Sequence, residues 1–370
     1  MSIKHDIQAY AAEIGVDLVG VTNVQPFSRF IEQLDTRRAH YMDRYAYRME
    51  TWQRMARPRA VVPDARSVVV LGYYYFPPDP KPDGVSGKMG RIVTYGHLGI
   101  LKRARLVRSF LQQRGHKAVM GAHRKEAAVR AGLGSIGKNN LVMNPRYGSW
   151  VAYQSIVTDA ELEPDEPCRD DMCGNCTKCL DACPTGALYD PRQLDPRRCV
   201  TCLLTSRDVP ESFWPAMDNY ILGCDACQEA CPRNRGLEPK PDLESLLPEG
   251  MGIYPPLERL LRLDEAGFQE EIIGFIQEKI SGGGLAARLL RNPLVRKTAT
   301  WFTKTFMRGK EVLPETFVHA SGNLEVYKRN ALVTIGNLKA ASLRPDAETY
   351  TNDPYLGPYA RWAVQQLEVP

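Results

Sequence analysis

The sequence has no long hydrophobic run and no recognisable export signal. No stretch approaches the roughly 18 consecutive apolar residues expected of a membrane-spanning helix. The first residues, Met1–Ile7, contain no apolar core, no twin arginine and no small-residue cleavage site. These absences argue against the helical membrane and exported classes. We therefore expect a cytoplasmic, monomeric protein with no membrane partner.

Cysteine is absent from most of the chain, since all ten cysteines lie between Cys168 and Cys231. In a reducing compartment such a group predicts metal ligands rather than disulfides. A chain of 370 residues, 44% apolar and 25% charged, can bury a core without covalent cross-links. Its net charge of +5 is compatible with a polyanionic partner.

Residues 1–163 are predicted to form an α/β (α+β) domain. Two segments rich in β-branched and aromatic residues, Ser67–Phe76 and Ser149–Thr158, predict buried strands. Helices are predicted at Lys102–Gln113 and Arg124–Ala131, where apolar residues recur at helical spacing. The glycine-rich stretch Gly132–Lys138 ends the second of these helices.

The remaining chain divides into a cysteine-rich insert, residues 164–241, and a helical region, residues 242–370. Amphipathic helices are predicted over Phe268–Ile280 and Ala286–Met307. The last predicted helices, Tyr327–Asn337 and Tyr355–Leu367, resemble one HEAT-like repeat. A plain helical cap is an equal alternative.

The cysteine spacing is that of a bacterial ferredoxin with two [4Fe–4S] clusters. The first run is Cys-x2-Cys-x2-Cys-x3-Cys-Pro, and the second is Cys-x2-Cys-x3-Cys-Pro with one cysteine upstream. Because the last cysteine of such a run binds the other cluster, the ligands interleave. We predict a first thiol set of Cys173, Cys176, Cys179 and Cys231. We predict a second thiol set of Cys183, Cys199, Cys224 and Cys227.

Two alternatives accompany this assignment. Paired Cys-x2-Cys sites also bind zinc, although zinc does not require the two Cys-x3-Cys-Pro endings. Cys168 and Cys202 are left over. An inert thiol is the simpler interpretation of Cys168, and Cys202 either faces a cofactor or has a structural role.

The order of motifs along the chain resembles the epoxyqueuosine reductase family. The motifs in sequence order are Ala131–Asn139, Gly148–Trp150, Cys173–Thr185, Gly223–Asn234 and Arg329–Asn337. The resemblance implies an N-terminal cobalamin-binding domain, a ferredoxin-like insert with two [4Fe–4S] clusters, and a C-terminal helical region that helps to hold tRNA. The family is related to the reductive dehalogenases. Lys328 and Arg329 are basic residues of the kind that tRNA binding uses.

The resemblance also implies residues that contact cobalamin. Carried over by position, the cobalamin candidates are Arg57, Lys138, Asn139, Gln154, Thr201 and Asp225. Each has a simpler interpretation. The glycine-rich stretch could be a phosphate-binding or plain tight loop, and Arg57 a solvated surface residue. Thr201 and Asp225 could satisfy cluster sulfurs or cap a turn.

One departure from the family concerns the proton donor. The family's aspartate before the Ala-Gly-Leu-Gly element corresponds here to Ala118, which cannot carry a proton. The titratable residues in this part of the chain are His97, His123, Tyr95 and Tyr153. Of these, His123 and Tyr95 are the catalytic candidates, against structural roles for the histidines and core packing for the tyrosines.

The predicted function is a cobalamin- and iron–sulfur-dependent reductase, which by resemblance acts on epoxyqueuosine in tRNA. Electrons from an external low-potential donor of the flavodoxin or ferredoxin type would pass through both clusters. One alternative is a related reductase of another small molecule, similar to the reductive dehalogenases. The other is an iron–sulfur electron-transfer protein without its own substrate.

Overall fold

The computed structural model describes residues 2–38, 48–78, 82, 84–241, 243–248, 251–281 and 323–368. The predicted helix Ala286–Met307 lies outside these residues. In the described part, no helix is long and apolar enough to cross a membrane.

A four-stranded antiparallel sheet forms the centre of the N-terminal region. In sheet order its strands are β1 (Leu18–Thr22), β2 (Ser67–Tyr74), β7 (Val151–Thr158) and β4 (Ala118–Met120). The central pair, β2 and β7, is buried at every position, with Val69 opposite Ile156. Strands covered on both faces have continuous apolar runs rather than alternating ones. This confirms the strands predicted in these two segments.

Two further strand pairs are short. β3 (Lys88–Met89) runs parallel to β8 (Tyr220–Leu222) and joins the N-terminal region to the cysteine-rich segment. β5 (Ser135–Ile136) and β6 (Val142–Met143) form an antiparallel pair. The predicted glycine-rich loop therefore contains one strand of a small hairpin.

Helices cover both faces of the sheet. In chain order the helices up to the second cysteine run are α1 (Ile3–Glu13), α2 (Ser28–Thr36), α3 (Met49–Met55), α4 (Pro58–Val61), α5 (His97–Gln113), α6 (Arg124–Arg130), α7 (Lys178–Asp181), α8 (Val200–Leu204) and α9 (Ala226–Glu229). Helices α1 and α5 pack on one face and α6 on the other. Helix α5 begins earlier than the sequence predicted, directly after a π-helical turn at Ile92–Gly96.

The C-terminal region is helical, as predicted, wherever the structure describes it. Its helices are α10 (Leu257–Arg262), α11 (Glu265–Gly267), α12 (Phe275–Ser281), α13 (Leu324–Asn337), α14 (Arg344–Glu348) and α15 (Gly357–Glu368). A π-helical segment, Phe268–Gly274, joins α11 to α12. Helices α13 and α15 pack closely. A Cβ added at Gly336 of α13 would lie only 2.5 Å from the Trp362 ring of α15. Whether this pair is a HEAT-like repeat stays a prediction.

The C-terminal helices share one hydrophobic core with the cysteine-rich segment. This core includes Val200, Leu203 and Leu222 together with Leu260 and Leu332. The predicted boundaries at residues 163 and 241 therefore remain predictions. They divide the chain by motif, whereas the buried apolar surface joins the last two segments.

Candidate metal centre

The first thiol set surrounds one cavity. Cys173, Cys176, Cys179 and Cys231 line a space of about 240 Å³. Cys173 and Cys176 precede α7, Cys179 lies within it, and Cys231 precedes the 3-10 turn Pro232–Asn234. Burial, with the neighbouring thiols of Cys173 and Cys231, raises the pKa of Cys179 to about 11. The structure therefore brings together four thiols from both cysteine runs.

The second thiol set is recognised by the mutual influence of its members. Burial raises the pKa of Cys224 to about 12, and the charges of Cys199 and Cys183 add to this effect. Burial also raises the pKa of Cys227, with contributions from Cys224 and Cys199. Cys227 responds to Cys179 as well, so the two thiol sets are neighbours.

The space between the first four thiols suits a polynuclear cluster. In a zinc site each sulfur lies only about 2.3 Å from the metal, so the cavity that these thiols border is larger than a single zinc ion needs. Thiolates at the rim of a larger space are the ligands of an iron–sulfur cluster. Within the described residues, no group of three or more His, Cys, Asp or Glu side chains is arranged to hold a single metal ion.

The glycine-rich loop forms one wall of the first cavity. Lys138 and Asn139 line it, and the Lys138 backbone N–H donates to Cys173 Sγ at 3.4 Å. Glycine is required at Gly134, where φ is +156° and a Cβ would lie 2.2 Å from the Met143 carbonyl oxygen. The loop thus packs on β6 and against the first thiol set. The resemblance stated above instead implied that this glycine-rich loop contacts cobalamin.

A buried ion pair supports the second thiol set. The Asp225 side chain is 0% exposed, and its Oδ2 accepts hydrogen bonds from the Arg91 backbone N–H at 2.9 Å and from Arg91 Nη1 at 3.2 Å. Arg91 Nη1 also donates to Glu229 at 2.6 Å. Burial raises the pKa of Asp225, although Arg91 acts in the opposite direction. The contacts of Asp225 are therefore those of a structural residue between Cys224 and Cys227.

Three residues near Cys199, namely Thr201, Cys202 and Lys125, also lie beside the second thiol set. The Cys199 thiol is hydrogen-bonded by the Cys202 side chain and by the backbone N–H groups of Thr201 and Cys202. Lys125 lies close enough for Cys199 to influence it, and burial lowers the pKa of Lys125 to about 8. Sequence reasoning missed Arg91 and Lys125, because neither belongs to a spacing motif.

The other predicted cobalamin contacts lie apart from the first cavity. Gln154 is buried in β7, where its side-chain oxygen accepts the Ser155 backbone N–H at 3.1 Å. Arg57 is exposed and donates to the Gln53 carbonyl at 3.0 Å. Neither lines the cavity of the first thiol set. Of the six predicted contacts, Lys138 and Asn139 are the two that line this cavity.

The two histidines near the missing aspartate have structural surroundings. His123 caps α6, because its Nδ1 accepts the Glu126 backbone N–H at 3.4 Å, and its ring stacks on Phe30. Burial lowers its pKa well below the ordinary value, with smaller contributions from Lys125 and Arg124. Burial also lowers the pKa of His97 to about 3. The contacts of His123 favour its structural interpretation.

The two tyrosines differ from each other. Tyr153 is buried in β7 and its hydroxyl donates to the Leu133 carbonyl at 3.4 Å. Tyr95 is partly exposed in the π-helical turn, and burial raises its pKa. Ala118 is buried in β4 opposite Thr158. Of the two tyrosines, Tyr95 is therefore the partly exposed one, and Tyr153 is part of the sheet core.

Comparisons with known proteins agree with this centre. A family model described as a 4Fe-4S double cluster binding domain matches residues 172–234. The epoxyqueuosine reductase of Staphylococcus aureus is 31% identical over 286 residues, which cover 72% of this chain and 73% of that protein. The Bacillus cereus epoxyqueuosine reductase is 27% identical over 99% of this chain and 89% of its own length.

A solved structure gives the same result for the fold. The crystal structure of an epoxyqueuosine reductase with an epoxyqueuosine-modified tRNA stem loop superimposes with a TM-score of 0.77. The two sequences are 26% identical, and the match covers 100% of this chain and 91% of the other.

Proposed function

Since this chain belongs to the epoxyqueuosine reductase family, we propose that it reduces epoxyqueuosine to queuosine in tRNA with two [4Fe–4S] clusters and a cobalamin. The chain is an oxidoreductase, and residues 172–234 form its 4Fe–4S-binding domain. The observation that carries the proposal is the grouping of eight cysteine thiols, drawn from both runs, into two neighbouring sets.

We assign each thiol set to one cluster. The first set holds the cluster that receives electrons from a flavodoxin- or ferredoxin-type donor, because residues around it such as Asn175, Lys178 and Asp181 are exposed. The second set passes electrons on, since its neighbours Leu203, Asp225 and Gln228 are buried. Interleaved ligands place the clusters side by side, which suits transfer of single electrons.

Cobalamin enters this proposal through the family resemblance alone. When bound, it would supply the low-valent cobalt chemistry that attacks the substrate. Among the predicted contacts, Asp225 is paired with Arg91, Gln154 accepts a hydrogen bond from its own neighbour, and Asn139 lines the first cavity. The assignment of these residues to cobalamin remains a proposal.

Removal of the epoxide oxygen as water consumes two electrons and two protons. Ala118 cannot supply a proton. We propose Tyr95 as the acid. Burial raises the pKa of Tyr95, while the nearby positive charge of Arg91 acts in the opposite direction and would stabilise the phenolate left after proton transfer. His123 is the weaker candidate, because the Nδ1 lone pair is engaged in capping α6. We expect Tyr95→Phe to lower the reduction rate at least tenfold without loss of iron.

The tRNA is the proposed partner, but not through Arg329. That side chain is 0% exposed and donates to backbone carbonyls, while Lys328 donates to the Tyr350 hydroxyl at 2.7 Å. The prediction that this basic pair helps to bind tRNA is therefore wrong for Arg329, because the Arg329 guanidinium is buried and donates its hydrogen bonds inside the protein. A cytoplasmic location follows from a tRNA substrate and remains part of the proposal.

One experiment separates this function from its alternatives. The gene is expressed in a bacterium that lacks its own epoxyqueuosine reductase, and tRNA nucleosides are analysed by mass spectrometry. We expect queuosine to be restored, and a Cys224→Ser variant to leave epoxyqueuosine unreduced. Epoxyqueuosine that persists with the wild-type protein, despite about eight irons per chain, would favour the electron-transfer alternative. The replacement of the family aspartate by Ala118 is the observation behind that alternative.

A further inference from the structure

Asn139 has an unused hydrogen-bond donor in the protein interior. Its side chain is 5% exposed, and within the described residues Nδ2 has no hydrogen-bond partner. A buried amide nitrogen without a hydrogen-bond partner is destabilising. Such a group persists where something absent from the protein chain accepts its hydrogen bond.

The orientation of this amide is fixed by its other end. Asn139 Oδ1 accepts the Leu141 backbone N–H at 3.2 Å. A rotation of the amide by half a turn would place Nδ2 against that N–H, two donors facing each other. The oxygen must therefore face Leu141, and the nitrogen is left for a different acceptor.

The space available to that acceptor is the cavity of the first thiol set. Asn139 lines this cavity together with Cys173, Cys176, Cys179 and Cys231. The adjacent residue already directs a donor to the same place, since the Lys138 N–H reaches Cys173 Sγ at 3.4 Å. The side chains of Met143 and Met172 complete a wall that offers no strong competing acceptor.

We propose that Asn139 donates a hydrogen bond to a sulfur of the cluster in the first thiol set and raises the reduction potential of that cluster. The inference rests on the cluster assignment of the proposed function. Sulfur carries more negative charge when a cluster gains an electron, so a donor stabilises the reduced form more than the oxidised form. Hydrogen bonds to charged groups are the stronger ones.

The test is a redox titration of the anaerobically purified protein, followed by electron paramagnetic resonance. Asn139→Leu keeps the branched shape and the number of heavy atoms but has neither the donor nor the acceptor. It should shift the reduction equilibrium of one cluster about tenfold towards the oxidised form, about 59 mV for one electron. Asn139→Asp keeps the acceptor for Leu141 and should shift the same cluster in the same direction. The reduction potential of the other cluster should not change.

The neighbouring Asn140 supplies the matched control. It has φ +61° and does not line the cavity, so Asn140→Gly keeps the backbone conformation and should leave both potentials unchanged. An Asn139→Leu protein with full iron content and wild-type potentials would overturn the inference. A wild-type protein without any cluster signal would instead overturn the proposed function on which it rests.

A second measurement distinguishes loss of the Asn139 hydrogen bond from a change in how the side chain fills the cavity. Pulsed paramagnetic resonance detects exchangeable protons that couple to the reduced cluster. We expect one such coupling to disappear in Asn139→Leu and to persist in Asn140→Gly. Identical couplings in the wild type and in Asn139→Leu would contradict the proposed hydrogen bond even if the potential moved.

Discussion

The two thiol sets lie side by side but are supported in different ways. The first set borders a cavity whose other wall is a backbone loop, and the residues around α7 are exposed. The second set is surrounded by a buried ion pair and by apolar residues shared with the C-terminal helices. The difference suggests that the first cluster is placed for access and the second for a fixed position relative to the rest of the protein.

The C-terminal helix α13 supports the backbone segments that carry two cysteines of the second set. Arg329 donates to the carbonyls of Leu203, Leu204, Ser206 and Arg207, at the end of the helix that begins beside Cys199. Asn330 Nδ2 donates to the Leu204 carbonyl at 3.0 Å and to the Ile221 carbonyl at 2.8 Å. Residues distant in sequence therefore hold the segments that carry Cys199 and Cys224.

The largest expected effect comes from breaking the buried ion pair. Arg91→Met leaves the Asp225 carboxylate without its cationic partner, and we expect a loss of about 3–5 kcal/mol in the free energy of unfolding. Anaerobic urea unfolding measures this loss. The double variant Arg91→Met with Asp225→Asn removes the unpaired charge and should recover part of it. Equal stability of the single variant and the wild type would contradict the importance of this pair.

The next effect concerns the helix that supports the second set. Arg329→Met leaves buried carbonyls unsatisfied, at a cost of about 2–4 kcal/mol. We expect iron content to fall from about eight to about four per chain, with the first cluster's resonance retained. Glu325→Ala, at an exposed position of the same helix, is the control and should keep all its iron. Equal loss of both clusters in Arg329→Met would remove the distinction between the sets.

The smallest effect is expected at the first set. A Cβ at Gly137 would lie 2.7 Å from Met143 Cγ and 2.9 Å from Asn139 Oδ1. Gly137→Ala should therefore displace the cavity wall, at a cost of about 1–3 kcal/mol for overpacking. We expect altered resonance of the first cluster alone. A change confined to the second cluster would show that the glycine-rich loop contacts the second thiol set and not the first.

The central strands and the proposed grouping of the thiols both follow from local patterns in the sequence. Continuous apolar runs mark Ser67–Tyr74 and Val151–Thr158, and cysteine spacing determines how far a short loop can carry a thiol. Neither kind of pattern identifies Arg91 or Arg329. Their partners are a distant carboxylate and backbone carbonyls, which leave no spacing in the sequence.

The glycine-rich loop and His123 show what local sequence patterns do not reveal. The glycine-rich loop is predicted to contact cobalamin, whereas the structure places it against the first thiol set; a tight backbone does not reveal which group it faces. His123 was considered as an acid because it titrates near neutral pH in isolation. Its capping role was not anticipated, since serine, threonine, aspartate and asparagine are the usual N-caps.

The interleaved ligation of two clusters is tested most directly by exchanging one cysteine in each run. Cys183→Ser and Cys231→Ser are purified without oxygen, and the paramagnetic resonance of each reduced protein is compared with that of the wild type. We predict that Cys183→Ser perturbs the cluster also bound by Cys224, and that Cys231→Ser perturbs the cluster also bound by Cys173. If each substitution instead perturbed the cluster of its own run, the assignment of the two thiol sets would be wrong.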